Sequence, residues 1–176
     1  GYCVNCKPYC HITTGFSGTP NILPALSRSG HWAEAFRMFT CTDFTSWLYP
    51  VTHGATSVWE RWNGFECAFG QHQENTMNSF NHFALGAVGQ WMYEYQLGIA
   101  QGEESGYRQF VLQPECGLPY KSLSGSYCSD YGEIRSGWTA DEQGDMMSYR
   151  AVVPANTSCT LYLPMQAHYF RSSAGA

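Results

Sequence analysis

The hydrophobic pattern of this chain changes its period near residue 100, and this change limits the folds that are open to it. Before that point apolar residues recur at helical spacing, most clearly over 78–97, where they step by three and one. The stripe consists of Phe80, Phe83, Ala84, Ala87, Val88, Trp91, Met92 and Tyr95. We therefore predict a long helix that buries this stripe as core and does not use it to hold a cofactor.

Two shorter helices are predicted upstream of the stripe. Thr19-Pro20 is typical of an N-cap followed by proline at the first helical position. The helix should continue over 21–27, although Pro24 is expected to bend or shorten it. A further helix is predicted over 31–40, with Trp32, Ala35, Phe36 and Phe39 on one face.

After Gly102 the pattern changes to short strand candidates separated by turn residues. Strands are predicted over 108–113, 120–127, 133–139, 146–153 and 158–163. This spacing favours an antiparallel β-sandwich, or half of one. Because the helices precede the strands and do not alternate with them, we expect two packed units.

Composition and charge exclude several kinds of partner. The net charge is −5, and the nine lysines and arginines are scattered singly, so no basic patch is available to neutralise phosphates. No apolar run approaches the length of a membrane span. We expect no nucleic-acid partner, no membrane insertion and no cofactor.

The start of the chain does not indicate a compartment. Residues 1–6 do not resemble a signal peptide, and position 1 is not methionine. We interpret the chain as an internal piece of a longer protein, which leaves its localisation open between the cytoplasm and export.

Eight cysteines are many for a cytosolic chain. Cys3, Cys6, Cys10 and His11 offer four soft ligands, which makes zinc conceivable. However, no second C-x-x-C follows at finger spacing, and ligands so close in sequence are cramped, so we predict no metal site. The other five are expected to be buried thiols or disulfides of undetermined pairing: Cys41, Cys67, Cys116, Cys128 and Cys159.

One carboxylate stands out in the long polar and aromatic stretch over 52–75. Glu60 lies between Trp59 and Trp62, beside an arginine and a polar turn. Sugars present apolar faces that stack on aromatic rings, and a glutamate in such a wall can act as acid, base or nucleophile. The alternative is a surface glutamate paired with Arg61 between two core tryptophans.

A series of motifs in fixed order resembles a known enzyme family. The series consists of Thr14-Gly15-Phe16-Ser17-Gly18-Thr19-Pro20, Ser46-Trp47-Leu48-Tyr49-Pro50-Val51, the segment 54–64, and Asn78-Ser79-Phe80-Asn81-His82-Phe83-Ala84-Leu85-Gly86-Ala87-Val88-Gly89. Over 11–164 the chain is similar to the C-terminal portion of the bacterial α-L-rhamnosidases of glycoside hydrolase family 78. The resemblance implies the last helices of an (α/α)6 barrel over 1–101, followed by a C-terminal β-sandwich over 102–176.

The resemblance also implies an activity and roles for particular residues. The family hydrolyses terminal α-L-rhamnosyl bonds with inversion, which needs a general acid and a general base on opposite sides of the sugar. By resemblance Glu60 is the general base and His82 lines the sugar site. Trp59, Trp62 and Trp47 are plausible walls around the deoxysugar. His82 as a helix cap and Trp47 as core are the alternatives.

The family's general acid has no match in this chain. Asp43, Glu66 and Glu74 are the acids near Glu60 in sequence, and none lies in the family's motif. The implied partners are therefore rhamnose-containing glycosides and the missing N-terminal part of the same enzyme, with homo-oligomers possible. We expect the isolated chain to be inactive. A non-catalytic carbohydrate-binding module and a structural fragment without sugar function stay open as other readings.

Overall fold

The computed structural model describes residues 11–69, 77–103, 105–117 and 119–164. The chain divides into two compact units, residues 1–91 and residues 92–176. Cys3, Cys6, Cys10 and Glu74 lie outside the described residues. The first unit is helical and the second is built from strands.

The described part of the first unit contains six short helices. They are α1 (Thr19–Arg28), α2 (Trp32–Phe39), α3 (Leu48–Thr52), α4 (Gly64–Phe69), α5 (Phe83–Gly86) and α6 (Val88–Trp91). The first two confirm the predicted helices near these positions. The helices α3 and α4 were not among the helices predicted from the sequence.

The start of α1 differs from its prediction by one residue. Gly18 occupies the N-cap, and Thr19 and Pro20 are the first two helical residues. The helix also passes through Pro24 without shortening. The missing N–H of Pro24 would have bonded to the carbonyl of Pro20, so the loss is confined to the helix start, where bonding is already incomplete.

An aromatic core joins α1, α2 and α6. The ring of Trp91 meets Phe36 edge-on at a centroid distance of 5.7 Å and Phe39 at 5.3 Å. Its indole N–H donates to Ser27 Oγ at 3.0 Å. Trp91 is 1% exposed, so this donor is buried with its acceptor, as burial of a polar group requires. Trp32, predicted on the same face as Phe36, meets that ring edge-on at a centroid distance of 6.2 Å but is 37% exposed.

The long helix predicted over 78–97 is wrong at its start and in its continuity. Helical structure begins at Phe83, is divided between α5 and α6, and is followed by a π-helical turn over Met92–Gln96. Backbone groups of Ser79, Phe80 and His82 bond across to residues 57–60, so these groups are not available for a helix. As a result Phe83, which was expected in the core, is 85% exposed.

The second unit contains six strands in two sheets. They are β1 (Ile99–Gln101), β2 (Gln109–Leu112), β3 (Ser122–Ser129), β4 (Gly132–Ala140), β5 (Met146–Val152) and β6 (Ser158–Leu161). One sheet has the order β1-β2-β6 and the other β3-β4-β5. Five strands were predicted, and β1 was missed because three residues are too short to show a period. The pairing of β2 with β6 is parallel, so the first sheet is mixed, whereas the other pairings are antiparallel.

The two sheets enclose a small apolar core. It is formed by Leu97, Ile99, Phe110, Leu112 and Ile134, which come from both sheets and from the segment before β1. Gly98 enters this region with a φ of 72°, and a Cβ there would lie 2.2 Å from the backbone of Gln113. A glycine is therefore required where the chain approaches the end of β2.

None of the described helices is long and apolar enough to cross a membrane. Within the same residues no group of three potential metal-ligating side chains occurs. Of the cysteines from Cys41 onward, Cys67, Cys116, Cys128 and Cys159 are thiols that form no disulfide, and Cys128 is exposed, whereas Cys41 is buried.

Candidate active site

Glu60 is held by hydrogen bonds between two segments of the helical unit, residues 57–64 and 78–82. We call this set of hydrogen bonds the brace. The backbone N–H of Glu60 donates to the carbonyl of Ser79 at 2.8 Å. The backbone N–H of Ser79 in turn donates to Glu60 Oε2 at 2.8 Å. Further along, His82 N–H donates to the carbonyl of Val58 at 2.8 Å. These bonds fix both the backbone and the carboxylate of Glu60.

Asn78 closes the brace at its other end. Its Nδ2 donates to the carbonyl of Gly64 at 3.0 Å, which ties the turn after Glu60 to the segment that carries Ser79. Gly64 is buried, and a Cβ added there would lie 3.2 Å from Asn78 Nδ2 and 3.4 Å from the ring of Trp59. This close packing leaves little room for the turn to shift.

Glu60 lines a cavity of about 140 Å³ in the helical unit. The other lining residues are Thr14, Gly15, Phe16, Thr19, Trp62 and Leu85. Glu60 is the one carboxylate among them and is half-buried. The cavity is large enough for several water molecules or part of a sugar ring, because one water needs only about 10–15 Å³ on this measure.

His82 lies beside the cavity-lining residues, because its ring contacts that of Phe16. The two rings are stacked with their centroids 4.8 Å apart and their planes 25° from parallel. His82 is also the N-cap of α5, because its Nδ1 accepts a hydrogen bond from Ala84 N–H at 3.3 Å. The capping role that was the alternative for His82 is therefore present together with the aromatic contact.

The three tryptophans occupy different positions. Trp62 lines the cavity, and Trp47 meets it edge-on at a centroid distance of 5.6 Å. Trp47 is 7% exposed, and its indole N–H donates to the carbonyl of Leu85 at 3.0 Å. Trp59 is 6% exposed and packs edge-on against Phe80 at 5.5 Å. Only Trp62 of the three therefore lines the cavity itself.

The other described acids near Glu60 in sequence do not join it in the cavity. Glu66 instead accepts a hydrogen bond from the Tyr49 hydroxyl at 2.8 Å. Burial and this bond raise the pKa of Tyr49, so the phenol keeps its proton as donor. Asp43 is exposed and is not among the lining residues.

Sequence reasoning missed four side chains of the cavity wall, namely Thr14, Phe16, Thr19 and Leu85. The first three belong to the motif Thr14-Gly15-Phe16-Ser17-Gly18-Thr19-Pro20, which the sequence marked only as part of a resemblance. A polar and aromatic loop before a helix is a sequence signal of a functional site. Its pairing with a glutamate some forty residues later becomes visible only in the fold.

Comparison with known proteins identifies the family. Residues 5–96 match the model for the bacterial α-L-rhamnosidase six-hairpin glycosidase domain, which is more than half of the chain. The chain belongs to the bacterial α-L-rhamnosidase family. Residues 98–175 match the model for the bacterial α-L-rhamnosidase C-terminal domain. The predicted fold class is thereby confirmed: the end of a helical glycosidase domain is followed by a C-terminal β-sandwich.

Relatives of the rhamnosidase family cover almost all of the chain. An α-L-rhamnosidase of Streptomyces avermitilis is 40% identical over 154 residues, which is 88% of this chain and 15% of the relative. One from Formosa agariphila is 36% identical over 88% of this chain and 16% of the relative. The crystal structure of the Streptomyces avermitilis α-L-rhamnosidase complexed with L-rhamnose matches with a TM-score of 0.78 and 38% identity, over 89% of this chain and 15% of that one.

The chain therefore spans about 15% of the length of these rhamnosidases.

Proposed function

We propose that this chain is the C-terminal part of an inverting α-L-rhamnosidase and that Glu60 is its general base. The observation that carries the proposal is the fixed carboxylate in a cavity. Ser79 N–H holds Glu60 Oε2 at 2.8 Å, while the same glutamate lines a cavity with the rings of Phe16 and Trp62. The names of the relatives and the L-rhamnose in the Streptomyces avermitilis structure support a rhamnoside as the substrate.

The reaction would proceed by direct displacement at the anomeric carbon. Glu60 takes a proton from a water molecule in the cavity, and the water oxygen forms a bond to the anomeric carbon. The bond from that carbon to the leaving oxygen breaks on the opposite face, and this oxygen receives a proton from the general acid. Ser79 N–H occupies Oε2 of Glu60, which leaves Oε1 to accept the proton of the water.

The general acid is proposed to come from the rest of a longer enzyme. Inverting enzymes separate the two carboxyl groups by about 6.5–9.5 Å, which leaves room for the attacking water. Among the described residues the cavity contains no second carboxylate. Another part of the helical domain must then supply the acid from the opposite side of the sugar.

Aromatic side chains form the proposed sugar wall. Trp62 offers its ring to the apolar face of the deoxysugar, because it lines the cavity directly. His82 supports this wall by stacking on the ring of Phe16. Trp47 and Trp59 are buried, so we propose that they act on the sugar by holding the wall in place, Trp47 against Trp62 and Trp59 beneath the brace at Gly64.

A second function is favoured for the chain in isolation. Its cavity presents aromatic rings and one carboxylate, which is enough to bind a sugar but not to complete a two-carboxylate hydrolysis. The 176-residue chain alone would then act as a weak carbohydrate binder.

Activity of the complete enzyme that carries this chain tests the proposal. We expect hydrolysis of p-nitrophenyl α-L-rhamnoside and little hydrolysis of p-nitrophenyl α-L-fucoside, which differs in the configuration of its ring hydroxyls. No release of nitrophenol from the rhamnoside, with a folded enzyme, would show that the proposed function is wrong.

The domain division proposed from sequence, 1–101 and 102–176, is tested separately. Limited proteolysis followed by mass spectrometry of the resistant fragments should place the main cleavage near residues 101 and 102. Cleavage far inside either range would contradict the division.

A further inference from the structure

The loop before α1 presents two hydroxyl groups to the cavity that contains Glu60. Thr14 and Thr19 both line this cavity. The loop is closed by two backbone bonds, because the N–H groups of Gly18 and Thr19 donate to the carbonyl of Gly15 at 3.0 and 2.9 Å. Thr19 is 1% exposed, whereas Thr14 is exposed. The buried hydroxyl of Thr19 therefore accompanies the exposed hydroxyl of Thr14.

The hydrogen bonds of Thr19 use up its one hydroxyl proton. Its Oγ1 donates to the carbonyls of Thr14 and Gly15, each at 3.0 Å. A carbonyl oxygen only accepts, so the proton of Thr19 must be shared between these two.

This assignment decides the direction of the bond between the two threonines. Their Oγ1 atoms are 3.0 Å apart, and in principle either can be the donor. Because the proton of Thr19 points to carbonyls, Thr14 must donate its own proton to Thr19. The Thr14 oxygen then has no proton left for a ligand and offers only its lone pairs.

The position of Thr14 is fixed by close packing against Gly18. A Cβ added at Gly18 would lie 2.8 Å from the Cβ of Thr14, a distance that real side chains do not reach. Glycine at this position therefore lets the Thr14 side chain lie against the backbone of the loop. The bond to Thr19 then sets the orientation of its hydroxyl.

We infer that Thr14 is a specificity-determining residue, whose hydroxyl accepts a hydrogen bond from one ring hydroxyl of the sugar bound beside Glu60. The inference rests on the proposed function and deepens it. A group that only accepts forms a hydrogen bond with a ring hydroxyl of the sugar. It forms no such bond at a deoxy position, where the carbon carries only hydrogen. Such a site discriminates against the analogue that lacks this hydroxyl, because the hydrogen bond to Thr14 is then lost.

The test compares variants of Thr14 on a set of substrates with the complete enzyme. The substrates are p-nitrophenyl α-L-rhamnoside and its 2-deoxy, 3-deoxy and 4-deoxy analogues. Thr14→Val keeps the shape and removes the hydroxyl, whereas Thr14→Ser keeps the hydroxyl. Thr13→Val is the matched control, because Thr13 is exposed and is not among the cavity-lining residues.

We expect Thr14→Val to lower kcat/KM for the rhamnoside about tenfold, the order of one neutral hydrogen bond. For one of the three deoxy analogues the wild type and Thr14→Val should have equal kcat/KM, because the partner hydroxyl is already missing. Thr13→Val should match the wild type on every substrate, and Thr14→Ser should retain the discrimination between the rhamnoside and that analogue. If Thr14→Val does not fold, Thr14→Ala takes its place in the same comparison.

Two results would overturn the inference while leaving the proposed function intact. One is an equal loss on the rhamnoside and on all three deoxy analogues, which would show a purely structural role. The other is no loss at all with Thr14→Val. A wild-type enzyme without turnover of any rhamnoside would instead show that the proposed function is wrong, and the inference would fall with it.

Discussion

Glu60 and Ser79 are joined by two hydrogen bonds of 2.8 Å that run in opposite directions. Glu60 donates its backbone N–H to the carbonyl of Ser79, and Ser79 donates its backbone N–H to the carboxylate of Glu60. A carboxylate that accepts a bond from the backbone of the facing segment cannot rotate freely. One oxygen is fixed by this bond, and in the proposed mechanism the other accepts the proton of the attacking water.

The brace at Asn78 should matter for both stability and turnover. Asn78→Asp replaces the amide that donates to the carbonyl of Gly64 with an oxygen that repels it. We expect a loss of about 1–3 kcal/mol in the free energy of unfolding, because the carbonyl of the buried Gly64 loses its donor, and a lower kcat in the complete enzyme. Urea unfolding and rhamnoside turnover measure the two effects.

Asn21→Asp is the matched control for Asn78. Asn21 Nδ2 also donates to a backbone carbonyl, that of Ser17 at 2.9 Å, but it is exposed. Its loss should change the unfolding free energy by less than about 0.5 kcal/mol. Equal effects of the two substitutions would contradict the role given to the brace.

The stereochemistry of the product tests the direct attack of water. An inverting enzyme acting on an α-L-rhamnoside releases β-L-rhamnose first. Proton NMR during the first turnovers of the complete enzyme should therefore show the β anomer before mutarotation. If the α anomer appears first, the reaction passes through a covalent intermediate and Glu60 is not a simple base.

Phe65 and Phe69 should make the isolated 176-residue chain self-associate. They lie one turn apart on α4, are 54% and 64% exposed, and have ring centroids 5.1 Å apart. Exposed apolar pairs of this kind favour association. Sedimentation should show oligomers that decrease in the double variant Phe65→Ser, Phe69→Ser. Met147→Ser, at a residue 69% exposed in the other unit, is the control and should change little. An unaltered monomer in all three proteins would refute this expectation.

The contribution of Cys116 to the stability of the folded chain should decrease at high pH. Burial, together with the nearby carboxylates of Asp145 and Asp141, raises the pKa of its thiol from 9.0 to about 11. The folded chain thus holds this proton more tightly than the unfolded chain does. The stabilisation is present below about pH 9 and is lost as the pH rises toward about 11.

Two measurements check this direction for Cys116. At pH 8, alkylation by iodoacetamide should be much slower at Cys116 than at the exposed Cys128, as followed by peptide mass spectrometry. The Cys116→Ala variant should lose less stability than the wild type between about pH 9 and 11. Rapid alkylation of Cys116 in the folded chain would be inconsistent with the raised pKa.

Much of the fold was predictable because its signals are local. Residues 31–40 repeat at helical spacing, and β4 alternates buried Ile134, Ser136 and Trp138 with outward residues. The stretch over 78–82 was mispredicted because its apolar spacing continues the helical period. Backbone groups of Ser79, Phe80 and His82 bond to residues 57–60 instead, and no local sequence pattern shows these long-range bonds.

The candidate site was predictable in part for the same reason. Glu60 and Trp62 are marked by their own aromatic neighbourhood and by resemblance, and the structure places both at one cavity. Thr14 and Phe16 reach that cavity only through the fold, since they precede Glu60 by more than forty residues. The burial of Trp47 and Trp59 likewise depends on contacts with Leu85 and Phe80 that sequence spacing does not show.

The turnover of Glu60→Gln in the complete enzyme tests the central claim most directly. The amide keeps the shape of the carboxylate but cannot accept the proton of the attacking water, so kcat on p-nitrophenyl α-L-rhamnoside should fall by at least about 10²-fold, with little change in KM. Glu66→Gln, at an acid bonded to Tyr49 outside the cavity, should keep its activity. Near-normal turnover of Glu60→Gln would remove Glu60 from the mechanism.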